Sequence, residues 1–115
     1  MIGNVKHLTS KKIASDQAKN AAMKVLVSPA EGWLGYVMRV VEVEDHGFTP
    51  KHAHPWPHIN YILEGEGELE IAGQVTPVFP GSYAYVPGNA IHQFRNTSTA
   101  TFKFICIVPE EGHKL

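Results

Sequence analysis

Four histidines, His52, His54, His58 and His92, have types and spacings that could do chemistry. His52 and His54 are two residues apart, so in an extended segment both rings leave the same face, with Cα atoms about 6.5 to 7 Å apart. Two imidazoles so placed can converge on one ion, whose ligand nitrogens need to lie only about 2.0 to 2.2 Å from it. His58 follows Pro55-Trp56-Pro57, where two prolines stiffen a connection that would otherwise lose entropy on ordering. His92 comes after Pro87-Gly88-Asn89, at the start of a strand whose alternate residues are Phe94 and Asn96. A His-x-His pair alone arises by chance, whereas four histidines in this context point to a bound metal, imidazole being the commonest protein metal ligand. The remaining three, His7, His46 and His113, fall in an N-terminal arm, a turn and the C-terminal tail and are expected to face solvent.

The walls around such a site follow from strand parity. From His58, alternation carries Asn60 and Ile62 inward; from His92 it carries Phe94; on the last strand Phe104, Cys106 and Val108 form the inward set. Asn60, Phe94, Phe104 and Val108 are therefore the expected pocket residues. Arg39 interrupts the apolar row Val37, Val41 and Val43. A buried guanidinium is costly unless it meets an anion, which makes Arg39 a candidate substrate anchor; the alternative is a structural pairing with an acid at a strand edge. Cys106 is either a small wall residue or a thiol beside the metal, and with Arg39 it completes the candidate catalytic pair. Glu68 and Glu70 alternate with Leu69 and Ile71 and are expected on a solvated face, leaving no inward carboxylate to serve as a general base.

The elements that must position these residues are strands. From Met23 onward, short β-branched and aromatic runs are broken by Gly and Pro, the pattern of an all-β sandwich or barrel. Strands are expected near 23 to 28, 33 to 44, 58 to 64, 67 to 72, 74 to 79, 82 to 86, 91 to 96 and 101 to 108. Asp45-His46-Gly47 and Pro87-Gly88-Asn89 are among the turns between them. Phe102, Phe104, Cys106 and Val108 alternate with Lys103, Ile105 and Ile107, and Tyr36, Met38 and Val40 with Val37, Val41 and Val43. Both faces of these strands are largely apolar, which points to a homodimer. Residues 1–22 read as a basic arm and 23–115 as the barrel domain. The first 24 residues carry five lysines, Lys6, Lys11, Lys12, Lys19 and Lys24, against Asp16 alone.

With 115 residues, 43% of them hydrophobic, the chain fits one domain, and a single cysteine excludes an internal disulfide framework. A net charge of -1 gives no field to hold nucleic acid or an anionic membrane. No apolar run is long enough to span a bilayer, and Met1 to Ser15 lacks the apolar core of a signal peptide, so a cytoplasmic location is expected and the Asn96-Thr97-Ser98 sequon carries no weight.

Gly47 to His58, followed by Gly65, resembles the first motif of the cupin superfamily: a glycine, His-x-His, a glutamate three or four residues on, and a glycine. Gly81, Pro87, Asn89, His92 and Asn96 are similar to the second motif. Gly47 stands one residue closer to His52 than usual, and Asn89 holds a glycine slot, which asparagine's tolerance of the left-handed conformation permits. His58 occupies the glutamate position. The resemblance therefore implies a jelly-roll (double-stranded β-helix) barrel, a single domain, with a four-histidine site for Mn, Fe, Ni, Zn or Cu. It implies a metal-dependent enzyme acting on a small organic anion, by dioxygenase-like or isomerase- or decarboxylase-like chemistry. The alternative is a non-catalytic, metal-assisted binding module for a sugar or effector.

Overall fold

The computed structural model describes residues 1–113. Nine strands make one antiparallel sheet: β1 (Lys11–Lys12), β2 (Lys19–Val27), β3 (Tyr36–Phe48), β4 (His58–Glu64), β5 (Gly67–Ile71), β6 (Gln74–Val78), β7 (Tyr83–Val86), β8 (His92–Asn96) and β9 (Phe102–Pro109). The order is β6-β5-β8-β3-β9-β4-β7, with β2 also on β3 and β1 on β2. Its curl brings one face inward, giving the all-β jelly-roll barrel expected. Three single 3₁₀ turns, Val5–His7, Pro29–Glu31 and Glu110–His113, are the helical content of the described residues. No helix among them is long and apolar enough to cross a membrane.

Alternation builds the interior. Along β9 burial switches at every residue, with Phe102, Phe104, Cys106 and Val108 inward. Phe94 of β8 stacks on Phe104 with ring centroids 4.0 Å apart, and Phe102 lies 5.5 Å from Phe104. Around them Val43, Ile62, Leu69, Val78 and Val86 complete the buried cluster. Phe102 is fully buried, and the Cα of Gly67 lies so close that a side chain there would press on its ring. Phe102→Ala is expected to cost about 3–5 kcal/mol of stability, the range for emptying an aromatic site in a packed core. Urea denaturation would measure it, and a loss under 1 kcal/mol would show a core able to collapse around the gap.

Two stretches differ from the sequence expectation. The strand expected from Met23 starts at Lys19, because Ala21 to Met23 pair with Val41 to Val43 and Ala21 and Met23 are buried. The strand expected to stop at Glu44 continues to Phe48: Asp45-His46-Gly47 forms an irregularity within the pair, not a turn. There His46 takes φ 49° and Asn20 φ 52°, and the register shifts between Lys19 and Ala21. Between Lys19–Ala21 on one strand and Val43–Phe48 on the other, two steps face five; the three extra residues bend β3 and bring Phe48 onto Arg95 of β8.

Candidate metal centre

The open end of the barrel holds a cavity of about 340 Å³. Its histidines come from two places. His58 opens β4 and His92 opens β8, both buried, while His52 and His54 sit on the connection between β3 and β4. That connection is pinned to β8 by reciprocal backbone bonds between His52 and His92 (3.2 and 2.9 Å) and by Thr49, whose Oγ1 accepts from the Phe94 amide at 3.0 Å. At the other end the Asn89 amide donates to the His54 carbonyl at 2.6 Å. Asn89 takes the left-handed conformation, φ 67°, as its place in a glycine slot required.

The four rings meet. Centroids lie 5.1 Å apart for His52 and His54, 5.0 Å for His52 and His92, 4.8 Å for His54 and His92, 4.8 Å for His58 and His92, and 5.4 Å for His54 and His58. His52, His54 and His92 each offer a ring nitrogen within 4.8 Å of the others. The partners of the opposite ring nitrogens fix the tautomers. Nδ1 of His54 donates to the Trp56 carbonyl at 2.8 Å and Nδ1 of His92 to the Ala90 carbonyl at 2.9 Å. His58 Nδ1 donates to Asn60 Oδ1 at 2.6 Å, because the Asn60 amide nitrogen is used on the Ile105 carbonyl. In these neutral rings every Nε2 therefore carries a lone pair.

His58 Nε2 and His92 Nε2 nonetheless lie 3.1 Å apart. Two lone pairs facing each other at that distance repel, and the repulsion is relieved either by a proton on one ring or by a metal cation that takes both lone pairs. Nitrogens about 2.1 Å from one ion and at right angles around it would be roughly 3.0 Å apart, so this spacing suits two ligands of one metal as well as an N–H···N hydrogen bond, and His52, His54 and His92 are the three whose nitrogens form a group able to hold an ion. The residues fit the ion.

Burial favours the neutral form, the one that ligates, at His52, His58 and His92. Desolvation pushes His58 down to about 3, with the Asn60 hydrogen bond opposing and the charges of His92, His54 and Arg39 adding to the shift. Desolvation lowers His52 and His92 as well. Below pH 6.5 the unfolded chain binds protons that folded His58 refuses, so stability falls as pH drops from about 6.5 towards 3. Metal-free protein is expected to show its urea midpoint declining across that window, and His58→Gln a shallower decline. Identical slopes would contradict the assignment.

Asn60, Phe94, Phe104 and Cys106, inward by parity, line the cavity, and so does Arg39. Asn60 does more than form wall, since its carbonyl oxygen sets the His58 ring. Val108 is a correction: it is inward and packs with Val37, Cys106 and Trp56, but unlike Cys106 and Trp56 it does not line the cavity. Glu70 is another. It does point away from the core, yet Arg95 Nη1 (2.9 Å) and Lys51 Nζ (2.9 Å) close over it, and these hydrogen bonds, Lys51's first, hold its carboxyl below the usual range. His113 is not free in solvent either; its Nδ1 lies 3.2 Å from Arg39 Nη1, and burial lowers it. The structural pairing of Arg39 with an acid is not found among the described residues.

Sequence reasoning missed Trp56, Ile13, Met23 and Gly112 as cavity residues. Trp56 stacks on His54 with centroids 4.9 Å apart and planes 12° from parallel. Its parity with His54 was a signal for it. Ile13 and Gly112 reach the cavity through chain ends that no local pattern places.

A small antiparallel barrel with imidazoles converging in its open end defines a barrel protein with a candidate metal site. The cupin domain model matches residues 39–108, and the chain belongs to that family. Among solved structures, the polyketide cyclase RemF from Streptomyces resistomycificus superposes with a TM-score of 0.86 at 27% identity, over 95% of this chain and 80% of that one. A predicted oxalate decarboxylase from Thermotoga maritima gives 0.85 at 21% identity over 95% and 98%, a likeness of fold. A cupin-2 domain from Rhodospirillum rubrum gives 0.80 at 28% identity over 90% and 68%. An uncharacterized protein of Aquifex aeolicus (strain VF5) is 40% identical over 37 residues, which span 32% of this chain and 31% of that protein.

Proposed function

We propose that this chain is a metal-dependent enzyme acting on a small organic anion, with His52, His54, His58 and His92 as the ligands of one divalent ion. The observation that carries this reading is the pair of lone-pair nitrogens 3.1 Å apart on His58 and His92. Four neutral ligands leave a divalent ion its full charge, so when bound it supplies a Lewis acid that favours carboxylates, enolates and diolates; Mn, Fe, Ni, Zn and Cu all accept imidazole. The chain's own contribution is orientation and water exclusion. Asn60, Trp56 and Ala90 fix the rings, while Phe94, Phe104, Val41 and Met23 present an apolar wall. No Asp or Glu lines the cavity among the described residues, which argues against hydrolysis by a carboxylate base. The 27% identity to a polyketide cyclase supports an oxygen-rich, enolisable substrate.

The test is metal content of the purified protein, followed by oxygen uptake and solvent-deuterium exchange with diketones, 2-oxo acids and catechols. Turnover that disappears on chelation supports an enzyme. Stoichiometric metal with tight binding and no turnover would replace it with the binding module.

We propose as well that the outer face of the sheet seats a second copy of the chain. Tyr85, Ile59, Ile107 and Met38 form one row across β7, β4, β9 and β3, and Tyr83, Tyr61 and Ile105 form the next, which ends at the buried Val40. Ile59 is 53% and Tyr83 82% exposed. A row of this kind can match itself about a two-fold axis. Wild-type protein is expected to sediment as a dimer and the Ile59→Lys, Tyr83→Lys variant as a monomer; a monomeric wild type would contradict it.

A further inference from the structure

We propose that the Arg39 guanidinium is a second binding point of the cavity, for a carboxylate or phenolate oxygen of a ligand with an apolar body, and that His113 is its displaceable cap. The proposal rests on the reading that this cavity is a ligand site, but not on a metal being bound.

Arg39 lies in one row with Cys106 and Asn60 across β3, β9 and β4, all three facing the cavity. Its partners are poor for a half-buried cation. Nη1 meets the neutral-form nitrogen of His113 at 3.2 Å, Nη2 meets Cys106 Sγ at 3.7 Å, and Nε is buried with no hydrogen-bond partner among the described residues. The ion pairs of the described residues join Lys24 to Glu42, His46 to Asp45, Lys51 to Glu70 and Arg95 to Glu68 and Glu70, and none reaches Arg39. An uncompensated guanidinium facing a cavity is stabilised by an anion that enters it, and its planar fork suits a carboxylate. The neighbouring walls, Met23, Val41, Phe94, Phe104 and Trp56, offer the rest of that ligand apolar contact. A volume of about 340 Å³ lies within the range of small-molecule sites.

The cap is the 3₁₀ turn Glu110–His113. The Glu110 amide donates to the Gly35 carbonyl at 2.8 Å, and Gly112 lies so close to Trp56 and Val108 that a side chain there would overlap both. The turn thus rests on the barrel while His113 reaches Arg39 through one neutral contact, weaker than the charge-assisted bond a carboxylate makes.

The experiment measures 2-naphthoate and its neutral counterpart 2-naphthamide by titration calorimetry, on the full chain as purified and after chelation. Wild-type protein is expected to bind the acid roughly 10-fold or more tighter than the amide in both states, the worth of a charge-assisted hydrogen bond. Arg39→Gln should abolish the preference, Arg39→Lys should retain part of it, and His113→Ala should tighten the acid alone. Equal binding of acid and amide, failure of both to bind, or a preference surviving Arg39→Gln would overturn the anion site; an unchanged affinity in His113→Ala would overturn the cap. A preference lost on chelation but kept in Arg39→Gln places the anion on the metal and overturns the proposal. Protein that carries no metal as purified, and still prefers the acid, supports the anion site and counts against the metal reading alone.

Discussion

His54→Ala is expected to release the metal. The His54 ring faces His52, His58 and His92, and its stacking on Trp56 together with the Nδ1 bond to the Trp56 carbonyl aims Nε2 into the cluster. Alanine removes a ligand outright, and nothing adjacent replaces it, since Ala53, Pro55 and Trp56 offer no side-chain donor set for a cation. Losing a partner that merely orients a ligand costs about 10- to 100-fold in affinity; losing the ligand should exceed that. Metal content after dialysis is expected to fall from near one ion per chain to near none, with the thermal unfolding of the metal-free forms little changed. Full retention of metal in His54→Ala would remove His54 from the ligand set. Asn60→Leu, which frees the His58 ring without deleting it, should give the smaller loss.

Gly88→Ala is expected to damage both stability and metal binding. The turn between β7 and β8 lies against the connection carrying His52 and His54, and a Cβ on Gly88 would fall inside the Pro55 carbonyl oxygen, a backbone atom with no side-chain freedom to yield. The next residue, Asn89, donates to the His54 carbonyl. Forcing the turn outward therefore breaks that bond and shifts the His54 backbone with it. A cost of about 2–3 kcal/mol is expected, in the upper part of the range for single substitutions that strain a packed site. Metal affinity should drop in the same variant. Urea denaturation and metal titration together decide: normal stability with normal affinity would mean that the two segments do not clamp each other.

The fold and the histidine cluster were legible because both are encoded by short-range regularities. Period-two alternation gave Phe102, Phe104 and Cys106 their face, and the spacing put His52 and His54 side by side in an extended segment with His58 and His92 at strand starts. Parity, however, says which face a residue takes and not whether it reaches the cavity, and so Val108 was expected at the cavity that its neighbours Cys106 and Phe104 line. Parity also equates an outward position with an exposed one, which Lys51 and Arg95 undo at Glu70. Asp45-His46-Gly47 has turn chemistry, but the continuing pairs with β2 and β8 used its left-handed residue to bend a strand. His113 could not be placed from sequence at all. Its position depends on Gly112 meeting Trp56, a contact between residues 56 positions apart. Asn60 was read as wall; its hydrogen bond to His58 depends on which Asn60 atom meets Ile105, a tertiary fact.

The central claim is that imidazoles from the β3–β4 connection and from the starts of β4 and β8 share one cation. X-ray absorption at the zinc edge of zinc-loaded protein tests it most directly. The account predicts a nitrogen shell at about 2.0–2.1 Å with the multiple-scattering signature of three or four imidazoles. A shell of oxygens alone, or zinc bound with no imidazole scattering, would contradict it.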